Sequence, residues 1–105
     1  MRVVEGRFRG SLVCRVLGYP VSYGIVKLLL DKGAMNLRDI AGKAKRSKST
    51  TCTHLTKLRL ANIVRYERKG AETFYWVKYR YEVETILRAC ESLVRRASQR
   101  LGRDF

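Results

Sequence analysis

The apolar positions of the chain change their period twice. From Val21 to Lys32, Ile25, Val26, Leu28, Leu29 and Leu30 wrap more than one helical stripe, which predicts a central core helix with Pro20 near its start and Gly33 at its end. Leu37, Ile40, Ala41 and Ala44 then recur at helical spacing behind Asn36, a residue able to cap free amides, so a short helix is expected from Leu37 to Ala44. Lys45, Arg46 and Ser47 break the pattern. A second helix is expected from Lys48 to about Leu60, capped by Ser47, with Thr51, Leu55 and Leu58 turned inward. The period next falls to two. Ile63 to Arg68 and Thr73 to Tyr79 are rich in β-branched and aromatic residues and flank Lys69-Gly70-Ala71-Glu72, the signature of a hairpin. Alternation sends Tyr75 and Val77 to one face and Phe74 and Trp76 to the other, where the terminal helices are expected to cover them.

Helical spacing returns from Glu82 to Leu101, with Val83, Ile86, Leu87, Cys90, Leu93, Val94, Ala97 and Leu101 in a three-four repeat. A seam that long wants a partner. Upstream of the core helix, Ser11 to Leu17 is a short apolar helix with Leu12, Val13, Val16 and Leu17, and residues 1–10 carry Arg2, Arg7 and Arg9 with little periodicity, as expected of a basic arm. The 105 residues, 46% of them hydrophobic, suit one domain with a small core.

Charge narrows the function classes. The net charge is +14, and residues 36–70 hold ten lysines and arginines against only Asp39 and Glu67, so more than half of the excess falls in a third of the chain. That third contains the paired helices, and the outer face of the second one presents Ser49, Thr50, Thr53, Thr56 and Lys57, hydrogen-bonding groups with no acid to repel a phosphate. Double-stranded DNA is the expected partner. An enzyme is not expected, since one histidine and nine scattered carboxylates form no convergent set and no glycine motif cradles a nucleotide. Arg2, Glu5, Arg7 and Arg9 interrupt any secretory signal and no stretch reaches the length of a membrane span, so the expectation is a cytoplasmic protein without membrane contact.

The run Ser47-Lys48-Ser49-Thr50-Thr51-Cys52-Thr53-His54-Leu55, followed by Leu58 and then Ala61-Asn62-Ile63-Val64, resembles the ArsR/SmtB family of winged helix-turn-helix repressors. Asn62 stands where the family has glycine, and asparagine is the next-best residue for the left-handed turn from helix into strand. The resemblance implies a mainly α fold with a small β-hairpin wing (α+β). Residues 1–10 would be the arm, 11–35 the core helices, 36–62 the helix-turn-helix, 63–79 the wing and 80–105 a dimerisation helix.

It also implies a homodimeric, sequence-specific transcriptional regulator, a repressor by family habit. Ser49, Thr50 and Thr53 would read bases in the major groove, with Lys57 and His54 as further candidates, although His54 stands beside the inward face and is expected first as a helix-packing or phosphate-facing imidazole; Arg46, Ser47, Lys48, Arg65, Arg68 and Lys69 would hold phosphates. With no Arg, Asn or Gln on the reading face, specificity would lean on threonine methyls and DNA shape. The dimer interface would join the first and last helices through Leu12, Val16, Ile86, Leu87, Cys90, Leu93, Val94 and Ala97. Many relatives hold metal through a Cys-x-Cys, but here those positions read Asn36-Leu37-Arg38 and the last helix has no histidine, so neither metal nor cofactor is expected. Cys14, Cys52 and Cys90 match no zinc spacing; they are expected as buried small hydrophobes, with a redox role as the alternative. The rival readings of the chain are a non-specific architectural DNA binder and a winged-helix module for protein contacts.

Overall fold

The structure, a computed structural model, describes residues 8–104, with side chains described as far as residue 99. Residues 1–7 of the expected arm, with Arg2 and Arg7, lie outside the described residues, as does the side chain of Leu101. Eight elements follow in order: α1 (Gly10–Leu17), α2 (Pro20–Lys32), β1 (Met35–Asn36), α3 (Leu37–Ala44), α4 (Lys48–Leu60), β2 (Val64–Lys69), β3 (Glu72–Val77) and α5 (Arg80–Asp104).

Local chemistry sets the helix ends. Pro20 opens α2, where its missing N–H costs nothing, and Gly33 closes it at a φ of 80° that only glycine adopts freely. Asn36 Oδ1 accepts the backbone N–H of Asp39 at 2.8 Å and starts α3; Ser47 Oγ accepts that of Thr50 at 3.1 Å and starts α4. The exit from α4 is a Schellman turn. Asn62, with φ at 64°, donates its N–H to the Arg59 carbonyl while Ile63 donates to that of Leu58. Asparagine therefore does here what glycine would do. Lys45, with φ at 55°, makes the corresponding left-handed exit from α3, a position at which the residue type gave no warning.

The expected two-stranded hairpin is a three-stranded antiparallel sheet in the order β1-β3-β2. Tyr66 faces Tyr75 and Glu67 faces Phe74 within the hairpin, and β1 adds the pairs Met35 with Tyr75 and Asn36 with Phe74. Asn36 thus ties the wing to the helix-turn-helix: its backbone is in the sheet, its Oδ1 caps α3, and its Nδ2 lies 3.5 Å from Glu72 Oε1. Arg38 reaches the same carboxylate oxygen at 3.5 Å.

The core collects Ile25, Val26 and Leu29 from α2, Ile40 from α3, Leu55 and Leu58 from α4, Val64, Tyr75 and Val77 from the sheet, and Val83 from α5. Two residues expected at a dimer interface, Val16 and Leu87, also belong to it, because α1 and the first half of α5 close the protomer's own core; that expectation is corrected for both. Ile86 packs partly against the same core. Phe74 and Trp76 are only half-buried, and the Phe74 ring meets the Lys69 ammonium at 5.8 Å. Cys14 and Cys90 are exposed and Cys52 half-buried, so the expected burial of the cysteines is corrected for the first two.

Candidate nucleic-acid interface

Burial fixes the rotation of α4. Thr51, Leu55 and Leu58 are each fully buried, which turns Ser49, Thr53, Thr56 and Leu60 to solvent on the opposite side. Thr53 Oγ1 donates to the Ser49 carbonyl at 3.1 Å, so its hydrogen is committed to the helix and what it offers outward is a methyl and oxygen lone pairs. Thr50 is fixed by the cap: the Ser47 hydroxyl donates to Thr50 Oγ1 at 3.0 Å while accepting the Thr50 amide. Ser49, Thr50 and Thr53 thus form one exposed polar face at the start of the helix.

His54 packs against α2 and does not join the base-reading face. Its Nδ1 is hydrogen-bonded at 2.9 Å to the hydroxyl of fully buried Ser22 on α2, and its ring meets Tyr19 edge-on with centroids 6.2 Å apart. Burial, with Lys57 and Arg46 adding repulsion, holds its pKa below the ordinary 6.5, so the ring is neutral at pH 7. His54 is a strut between α4 and α2. Lys57 is exposed two turns beyond Ser49 on the outer face, with its ammonium 4.7 Å from the centre of the Tyr19 ring.

Arg46, Ser47 and Lys48 lie together at the start of α4, all exposed. Lys48 and Arg38 line one recess of about 380 Å³ with Ala71, Glu72 and Thr73 of the wing, so the helix start and the wing share one surface on which the Glu72 carboxylate is paired with Arg38. Arg65, Arg68 and Lys69 are exposed along β2, and Gly70, with φ at 62°, makes the tip. Sequence reasoning overlooked three residues of this surface. Arg59 stacks on Tyr66, 5.1 Å from its ring centre, and Tyr66 packs on Tyr75, joining the end of α4 to the wing. Arg38 joins α3 to the wing through Glu72. Their signal, cations paired with aromatic or acidic groups across elements, exists only once β2 and β3 are placed against the helices.

The pattern of the arsR family of bacterial regulatory proteins matches residues 23–66, from α2 into β2. MJ1325, an HTH-type transcriptional regulator of Methanocaldococcus jannaschii, is 31% identical over 69 residues, covering 66% of this chain and 78% of that protein. The chain belongs to the arsR family. It is a winged helix-turn-helix transcriptional regulator. Solved structures agree on the fold. Rv0081 of M. tuberculosis superposes with a TM-score of 0.78 at 20% identity, over 95% of this chain and 99% of that one. NolR of Sinorhizobium fredii gives 0.76 at 23% identity, over 89% and 96% of the two chains. The Mb0332 fragment of Mycobacterium bovis, described as a homodimeric winged helix-turn-helix DNA-binding domain, gives 0.71 at 19% identity, over 88% and 91%.

In this arsR-family chain the two positions tied to metal in many relatives are otherwise engaged: Asn36 caps α3 and Arg38 pairs with Glu72. Among the described residues, no three His, Cys, Asp or Glu side chains cluster closely enough to hold a metal ion. No single helix among them is long and apolar enough to cross a membrane.

Proposed function

We propose that this regulator is a homodimeric repressor that lays α4 of each protomer into successive major grooves of duplex DNA, acting in the cytoplasm by binding alone, without catalysis. The observation that carries the reading is the rotation of α4: three fully buried residues on one side leave Ser49, Thr50 and Thr53 as an exposed, acid-free face on the other. In this reading those three contact bases, with threonine methyls meeting thymine, and Lys57 reaches the groove edge from the Tyr19 flank. Arg46, Ser47, Lys48, Arg65, Arg68 and Lys69 hold phosphates on either side. Cys90, Leu93, Val94 and Ala97 of α5 are exposed, as is Leu12 of α1, which supports pairing of two copies along this helix. The homodimeric state of the Mycobacterium bovis neighbour supports the same arrangement.

Selection of bound duplexes from a random pool tests the reading. A two-fold-related motif with half-sites about one helical turn apart is expected. Enrichment of no sequence at all would favour non-specific architectural binding instead. Thr53→Ala should change the enriched sequence with little loss of non-specific affinity, whereas Lys69→Ala should weaken all duplexes alike.

A further inference from the structure

A groove of about 770 Å³ lies along α2 and the end of α3, on a part of the surface that the DNA-reading residues leave unused except at Arg46. Its size is that of a small-molecule site. The floor is apolar, formed by Val21, Ile25 and Leu28 of α2 and by Ala44 of α3. Gly24 lies among them in the interior of α2, where glycine is disfavoured relative to any ordinary helix former. Neither its backbone nor its surroundings require it. Its φ is not positive, and a Cβ built there would meet no atom within 4 Å. What the missing side chain does leave is open space on the groove floor.

The rim is cationic. Four charged residues line it, but Lys27 is held by Glu91 at 2.6 Å and Asp31 lies 3.8 Å from Lys32. Lys43 and Arg46 remain to meet a ligand. Arg46 is fixed beside the groove by hydrogen bonds from its Nη1 to the carbonyls of Lys45, at 3.1 Å, and Ala44, at 3.5 Å, which leaves its other N–H donors free to fork onto a carboxylate. An apolar trough with two cations at its lip complements a molecule with a hydrocarbon body and a single anionic head.

We infer that the groove between α2 and α3 is an effector site for an aliphatic carboxylate, whose chain lies over Gly24 and whose head engages Lys43 and Arg46. Arg46 immediately precedes Ser47, the cap of α4, and is one of the phosphate-holding residues of the proposed function. A carboxylate bound there competes with DNA for the same guanidinium and lowers DNA affinity. This second half rests on the DNA-binding reading; the first half does not.

Backbone amide spectra of the full chain, titrated with sodium octanoate, test the site directly, with sodium acetate and octan-1-ol as controls for head and tail. Saturable shifts are expected at Val21, Gly24, Leu28 and Ala44 with octanoate, none with acetate, and binding weaker by about tenfold with octanol, which lacks the charge. Gly24→Leu, a change that helix propensity favours, should fill the trough and abolish the octanoate shifts. Should that variant misfold, the Lys43→Gln/Arg46→Gln double variant, altered only at exposed positions, should bind octanoate no better than octanol. Shifts that never saturate, that map to Leu93 and Val94 on α5, or that survive both variants overturn the site. In a DNA titration, octanoate should weaken duplex binding by the wild type and leave Gly24→Leu unaffected. Octanoate bound in the groove with DNA affinity unchanged overturns the effector role. Failure of the wild type to bind any duplex without octanoate counts against the proposed function, and the spectra still decide the site.

Discussion

Thr51 is fully buried at the middle of α4, and its hydroxyl has no hydrogen-bond partner among the described residues. A buried donor left unmade costs about 1–3 kcal/mol, so Thr51→Val, which keeps the shape and removes the polar atom, should stabilise the protein by about 1 kcal/mol in chemical denaturation. His54 gives the opposite kind of prediction. Its pKa in the folded protein is lowered by burial and then by Lys57 and Arg46, so on acidification the unfolded chain takes up this proton first. Stability from this group is present above the ordinary 6.5 and is lost as pH falls from there through the lower folded value. His54→Gln should therefore flatten the fall in stability as pH drops below the ordinary 6.5, followed by denaturant titrations at each pH. At this scale the inward line of α4 was legible, because Leu55 and Leu58 obey helical spacing. The partner of His54 was not, since the Ser22 hydroxyl that its ring meets lies 32 positions away in sequence.

The element ends show what local chemistry can announce. Asn36 and Ser47 were readable as caps because each acts on an amide three residues ahead. Asn36→Ala should cost about 1 kcal/mol or more, since the same residue also faces Glu72 and holds β1 in register. The left-handed exit at Asn62 was readable too, through its short polar side chain. Asn62→Ala should destabilise by about 1–2 kcal/mol while Asn62→Gly is neutral or better, as thermal melts of the pair would record. The left-handed Lys45 was not readable, for a lysine carries no such preference; it is imposed by the turn in which the Arg46 amide bonds the Ala41 carbonyl. Nor was β1, two residues that are a strand only because Tyr75 and Phe74 pair with them.

For the whole molecule, the ambiguous element is α5. Its three-four repeat is satisfied equally by the chain's own core and by a second copy, and the structure divides it: Val83 and Leu87 are buried in the protomer, whereas Leu93 and Val94 are 69% and 66% exposed. Leu93→Glu should leave the fold intact and yield monomers in sedimentation, because an unpaired charge in an apolar seam costs several kcal/mol. Leu87→Glu should unfold the protomer itself. The exposed cations Arg46, Lys48, Arg65, Arg68 and Lys69 carry the central claim, that this surface binds duplex DNA through its phosphates. Each phosphate contact releases condensed counterions, so the dependence of the association constant on salt counts those contacts directly. With a duplex recovered by selection, the plot of log K against log salt concentration should have a slope of about −5 or steeper per dimer. A slope near zero would contradict the account.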